Sequence, residues 1–452
     1  MITGLVLFRN DLRLHDNENL IRAIEYSDCL IPLFVLSDHL AGYNLYHKHI
    51  QFPRMNPFRA QFLIESIYDL REQLKRIGSD LIIRQGNSAK IIAELCFEFN
   101  IDKVFFSELP CTYEKEEEIE ITTILDKIQV SYSITNMDQL IHLDELPFSL
   151  DNTPEVFTQY RKLIETKSSI ALPLPKIGRA AAIPQGIETG DIPEDLLKLG
   201  QSVRIDPRAA IQFQGGETQG IRRITDYIWI RDRIKSYKQT RNEMIGEDYS
   251  SKFSAWLSLG CVSPRFIVQQ IRKYEEERTK NESTYWLIFE LYWRDYFRLI
   301  AAKHGYKLFQ HSGISGSINK RKTGLESNQE ENSYQNIENA ESELEKFEQW
   351  RTGCTGVAFI DANMKELLLT GFMSNRGRQN VASFFVHSLK LDWRMGAEWF
   401  ESQLIDYDPA SNYGNWVYLA GVGNDPRARE FNIDKQAKTY DPDGKFQKLW
   451  NS

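Results

Sequence analysis

Each thing this sequence lacks closes off a class of function. Its five cysteines, Cys29, Cys96, Cys111, Cys261 and Cys354, form no CxxC pair and leave an odd count. Neither a disulfide framework nor a metal site is implied, and the thiols read as reduced in a cytoplasmic protein. No apolar run approaches a membrane span; CLIPLFVL is among the longest. The opening MITGLVLFRND has no basic leader or cleavage site and reads directly as a strand. There is no excess of positive charge: the net charge is −8, which argues against indiscriminate nucleic-acid binding but not against a local basic groove. RNDLRLHDNENL, which follows the first strand, has no glycine, so the turn that lets a pyrophosphate approach a helix N-terminus is missing. Residues 1–228 hold no tryptophan; all nine lie after that point.

What is present predicts two or three domains in 452 residues. Over residues 1–135, apolar β-rich runs at Leu5–Phe8, Ile31–Leu36, Leu81–Arg84, Val104–Phe106 and Val130–Ile134 alternate with amphipathic helical patterns. That alternation predicts an α/β domain with a doubly wound parallel sheet. Residues 136–214 read as an interdomain connector, with seven of the fifteen prolines between Pro147 and Pro207. Residues 215–452 read as an all-α domain, interrupted by a polar, increasingly acidic insertion at 311–346 that predicts an exposed loop.

Three stretches carry chemistry. Ser250, Ser251 and Ser254, with Lys252, precede an apolar helical run; hydroxyls and free amides there make a phosphate cradle or an ordinary serine cap. In STYWLIFELYWRDYF, helical spacing puts Glu290, Trp293, Arg294 and Phe297 on one face, where an acid and a guanidinium beside aromatics need partners or a ligand. Gly371–Pro426 gathers Asn375, Arg376, Arg378, Gln379, Asp406, Asp408 and Asn412 with Trp393, Trp399 and Trp416, a cup for a large flat ligand with one polar end. A further segment, 219–245, holds seven Lys/Arg against three acids, a local +4 that is a phosphate-contacting surface or a solvated helix face.

Taken in order, YKQTRNEMIGEDYSSKFSAWLSLGCVSPR, NESTYWLIFELYWRDYF, TGFMSNRGRQNVASF, DWRMGAEWFESQLIDYDPASNYGNW and YLAGVGNDP resemble the photolyase/cryptochrome family. RNDLRLHDN and KQAKTYDPDGKFQKLW match its two ends, and GGETQGIRR, DYSSKF and SNRGRQN are most similar to the cryptochrome-DASH branch. The resemblance implies an N-terminal antenna domain and a helical domain holding FAD. It implies that Tyr237, Ser250, Ser251, Lys252 and Ser254 hold the phosphates and ribose, and that Arg294, Arg378, Asp406 and Asp408 line the flavin. Asn412 matches the amide that faces flavin N5 and favours the reduced cofactor. Trp416 and Trp393 match an inner and a middle electron donor. A second pigment, 5,10-methenyltetrahydrofolate, is expected between the domains with Glu108 beside it.

The implied activity is blue-light repair of cyclobutane pyrimidine dimers, preferentially in single-stranded DNA, by a monomer, with RNA as a second candidate polymer. Glu290 and Asn375 would bond the flipped bases, Trp293 and Tyr418 would supply aromatic faces, and Gln379 would line the pocket. Two departures stand out. SNRGRQN holds no histidine, which disfavours repair of (6-4) photoproducts. The outer electron donor of the family falls near Ala340, in the acidic insertion, so the relay is expected to be short or to end on Tyr334. Trp399 reads as core. The competing reading is a blue-light photoreceptor with the same flavin; a chain that stops at Ser452, without a long tail, favours the enzyme.

Overall fold

A computed structural model describes residues 1–44, 51–316, 333–424 and 429–452, without the side chains of 39, 41 and 333–341. Five strands form one sheet: β1 (Thr3–Phe8), β2 (Cys29–Leu36), β3 (Ile82–Gln85), β4 (Lys103–Ser107) and β5 (Ser131–Thr135). All pairings are parallel and the order is β3-β2-β1-β4-β5. β1, β2 and β4 read as near-continuous apolar runs because both faces of the sheet are covered. Leu5, Leu7, Ile31, Leu33 and Val104 pack on one side, and Val6, Phe8, Phe34 and Phe105 on the other. The second core runs on into the helical half through Phe62, Trp256 and Tyr296.

Strand order reverses at β1, which makes the β1/β4 boundary a topological switch point with a crevice at the strands' carboxyl ends. The glycine-free turn after β1 is a clasp between the two halves. Leu12 N donates to Leu259 O, Arg13 to Gly260 O, and the Asp16 carboxylate pairs with Arg265 at 2.8 Å. His15 meets the fully buried Glu217 at 2.8 Å. Gly260 has a φ of +61°, and a side chain there would run into the Asn10 carbonyl.

The helices that build the site are α1 (Pro57–Arg76), α2 (Thr112–Lys127), α3 (Phe157–Lys167), α4 (Glu282–His304), α5 (Ser333–Thr352), α6 (Ala358–Thr370), α7 (Asn375–Ser383), α8 (Trp393–Gln403) and α9 (Pro409–Ala420). No strand follows β5 among the described residues. Two features differ from the sequence reading. The connector contains α3, whose Phe157, Tyr160 and Ile164 are buried at helical spacing against α4. Helix α5 starts inside the expected exposed insertion, where Glu, Gln and Ala favour helix once Phe347 and Trp350 anchor its far end. Tyr334 and Ala340 lie outside the described side chains.

Candidate functional site

Helices α7, α8 and α9 converge on a small cavity. It is lined by Asn375, Arg378 and Gln379 from α7, Phe400 near the end of α8, Asp406–Asp408, and Ser411, Asn412, Asn415 and Trp416 from α9. Local sequence explains the positions. Ser374 caps α7, accepting from Gly377 N at 3.0 Å, so Asn375, Arg378 and Gln379 fall within its first turns. Asp408 caps α9, accepting from Ser411 N at 2.8 Å, with Pro409 in the first turn. Asn412 and Trp416, four apart, then share a face.

Charge in this wall is paired. Arg378 reaches both oxygens of Asp406 at 2.9 Å and also bonds Met373 O. Arg298, buried, bridges Asp138 and Asp408, the latter at 2.9 Å. Burial opposes ionisation of Asp408, but Arg298, Arg294 and the Ser411 bonds outweigh it and hold the carboxyl below its usual range. Asn412 Nδ2 donates to Ala397 O at 3.0 Å. Trp416 and Trp393 are buried, and the Trp393 indole donates to His311 O at 3.0 Å.

The phosphate-side residues form a loop rather than an open cradle. Lys252 has a φ of +55° and its Nζ donates to Gly246 O and Glu247 O. Burial, then the nearby Arg223, pushes its amine down to about 7. Arg223 binds the Ser251 carbonyl, and Ser254 is exposed at the start of a five-residue helix. Tyr237 is buried beside Glu290 and Arg241, and burial raises its phenol. Arg294 donates to Asp138 and to Leu257 O, outside the cavity wall.

The expected base contacts divide. Asn375 and Gln379 line the cavity, and Gln379 accepts from Arg376 at 2.7 Å. Glu290 lies outside that lining, bonded to Arg241; burial raises its carboxyl while Arg241 and Arg376 oppose the rise. Trp293 stacks on Phe157 with ring centroids 3.6 Å apart and 11° between planes, so one of its faces is covered. Tyr418 carries Arg429 over its ring at 4.4 Å. Trp399 is core, packed edge-on to Phe52 and Phe347.

The +4 segment is not a bare patch. Arg223 and Arg231 pair with Asp226, Glu247 and Asp248, and Arg233 with Asp248. Lys235 pairs with Asp232, Lys238 with Glu282 and Arg241 with Glu290. The sequence count missed Glu247, Asp248, Glu282 and Glu290, which lie beyond the segment.

A larger cavity, about 300 Å³, opens at the carboxyl ends of β1, β2 and β4. Arg9, Phe34, Leu109, Tyr113, Glu114 and Tyr407 are among its lining residues. Tyr407 belongs to the walls of both cavities. Glu108 is next to this lining but is itself paired with Lys115 at 3.0 Å. Burial pushes the Glu114 carboxyl up to about 7, with Arg9 opposing.

The wall of the smaller cavity suits FAD. Asn375, Arg378, Gln379, Asp406 and Asp408 give its lining the donors and acceptors that the polar edge of a flavin needs. Outside that lining but close to Arg378, the buried Tyr249 Oη and Glu366 Oε2 have no hydrogen-bond partner among the described residues. Sequence reasoning missed Arg298, Glu366 and Phe157, and counted Arg241 only among the cations of the basic segment 219–245. Arg298 carried a signal as the next residue of Arg294's own stripe at i+4, and Phe157 as the first of the stripe Phe157, Tyr160 and Ile164.

Comparison with known proteins follows the same lines. The family described as the FAD binding domain of DNA photolyase matches residues 286–451, and that described as DNA photolyase matches 4–177. A cryptochrome DASH of Gloeobacter violaceus is 47% identical over 99% of this chain and 85% of its own length. One from Danio rerio is 44% identical over 99% of this chain and 82% of its own. The crystal structure of a Synechocystis cryptochrome superposes with a TM-score of 0.90 at 42% identity, covering 100% of this chain and 88% of that one.

Proposed function

The chain belongs to the photolyase/cryptochrome family, in its cryptochrome DASH branch, and from that membership we propose that it is a cytoplasmic deoxyribodipyrimidine photolyase. Its substrate is the cyclobutane pyrimidine dimer, preferentially in single-stranded DNA. Reduced FAD, when bound and excited by blue light, supplies the electron that splits the dimer and takes it back. One observation carries the reading: Asn375, Arg378, Gln379, Asp406, Asp408, Asn412 and Trp416 line a single cavity.

In this reading the protein's work is to bind, orient and resupply. Asp408 and the Arg378–Asp406 pair hold the polar edge of the ring system, and Asn412 presents its carbonyl oxygen. Trp416, one turn beyond Asn412, and Trp393 on α8 pass electrons inward towards the flavin. Glu290, released from Arg241, bonds a base of the dimer. Trp293 offers the face that Phe157 leaves open, and Tyr418, Asn375 and Gln379 complete the pocket. Stacking worth about 1–3 kcal/mol per base offsets the cost of unstacking, which is least in a single strand. The cavity at the strand ends takes the second pigment, 5,10-methenyltetrahydrofolate, with Tyr407 as the wall between the two chromophores.

The test is light-dependent repair of a dimer-bearing oligonucleotide, single-stranded and duplex, by the reduced protein. Faster repair of the single strand, lost in Glu290→Ala, is expected. No repair of either substrate would replace this reading with the sensory one.

A further inference from the structure

Helix α8 meets helix α9 at a place where a side chain is missing. A Cβ built on Gly396 would stand 2.9 Å from Cζ2 of Trp416, 2.8 Å from Cζ3 and closer still to Cη2. Carbon atoms in contact keep about 3.5–4.0 Å apart. The six-membered ring of Trp416 therefore rests on the bare backbone of α8. It has little room to retreat: Phe400 lies edge-on at 5.2 Å, Phe385 at 5.8 Å and Trp350 at 6.4 Å between centroids. The ring is 2% exposed.

The neighbouring residue ties in the second functional side chain. Ala397 O accepts the hydrogen bond from Asn412 Nδ2. Two adjacent residues of α8 thus fix both the indole and the amide that α9 presents on one face. Trp393 lies three residues earlier on α8, so the same helix also sets where the second indole stands relative to the first.

We propose that Gly396 is a positioning residue for electron supply: its lack of a side chain sets the distance of Trp416 from both Trp393 and the flavin cavity. The proposal rests on the reading of Trp416 as the inner donor. In that step Trp416 loses one electron to the oxidised cofactor and is refilled from Trp393, with an added thiol as final reductant. A methyl group at position 396 forces one of two movements. Either the indole leaves α8 and its gap to Trp393 widens, or α8 parts from α9 and Asn412 loses the Ala397 carbonyl.

Two measurements on Gly396→Ala, Trp416→Phe and the double variant test this. The first is a thermal-denaturation cycle that needs no light. Gly396→Ala should lower the melting temperature, and Trp416→Phe in the same chain should recover part of the loss, because the smaller ring vacates the space. Strictly additive effects would overturn the contact. If Gly396→Ala does not fold, folding of the double variant supports the proposal and its failure to fold overturns it. The second is photoreduction of bound oxidised FAD under blue light with thiol, beside chemical reduction with dithionite. Gly396→Ala should lose photoreduction towards the level of Trp416→Phe while dithionite reduces it like the parent protein. Slow Trp416→Phe with unchanged Gly396→Ala sinks the positioning role alone. Unchanged Trp416→Phe instead removes Trp416 as donor, and the proposal with it.

Discussion

Asn412 donates from Nδ2 to the carbonyl of Ala397 at 3.0 Å, and a carbonyl can only accept. The amide is thereby oriented: its nitrogen is committed to α8 and its oxygen is left for the cavity. Asn412→Asp removes the donor and adds a negative charge to a buried site. An unsatisfied buried carbonyl and carboxylate cost about 1–3 kcal/mol or more, so a shift of that size in denaturant unfolding is expected. The same charge disfavours an electron-rich cofactor, so the reduction potential of bound FAD should fall. A variant with unchanged stability and potential would show that the Ala397 bond orients nothing.

Glu366 gives a pH prediction with a definite sign. Burial pushes its carboxyl up to about 8, against the opposing charges of Lys252 and Arg378. A raised folded-state value means that the stabilising contribution is complete below the unfolded value near 4.5 and is lost as pH rises through about 8. Urea unfolding of the parent should therefore weaken across that interval, and Glu366→Gln, which cannot ionise, should flatten the decline. A parallel decline in both proteins would assign the pH dependence to other groups.

Phe157 and Trp293 form the tightest aromatic stack in the described structure, at 3.6 Å and 11°. They come from the connector helix and the long helix α4. Phe157→Ala should cost about 3 kcal/mol or more in thermal stability, as Phe-to-Ala changes in cores do. It should also weaken binding of dimer-bearing single strands more than undamaged ones, since Trp293 loses the support that holds its open face. Equal loss for both strands would leave Phe157 as core alone.

How much of this was legible in the sequence depends on range. β1, β2 and β4 were readable because a sheet covered on both faces imposes continuous apolar runs. Asn412 and Trp416 could be grouped because a four-residue spacing is a local fact. The crevice at the β1/β4 switch point was not visible, since strand order is set by pairings across a hundred residues. The roles of Arg298 and Arg241 were hidden for the same reason: the partner Asp138 lies far up the chain, and Glu290 lies 49 residues on. Helix α3 went unread within the connector because proline frequency masked the short stripe of Phe157, Tyr160 and Ile164. Counting charge within a window left out Glu247 and Asp248 just past the basic segment, and Glu282 and Glu290 far beyond it.

That last point sets a test of how the polymer is held. If residues 219–245 were a phosphate track, each cation removed would lower the salt slope of single-strand binding by about 0.7. The ion pairs argue otherwise. Arg231 is already engaged with Asp226, Glu247 and Asp248, and Arg223 with the same acids and the Ser251 carbonyl. Their charges are spent on holding the loop that carries Ser250–Ser254. Arg231→Ala should therefore leave the salt slope of binding to a dimer-bearing single strand unchanged. Its effect should appear as weaker retention of FAD on gel filtration, because the loop with Ser250, Ser251 and Lys252 loses one of its ties. A slope reduced by the full increment with cofactor retention intact would restore the segment as a phosphate-contacting surface and show that its acids yield to the polymer.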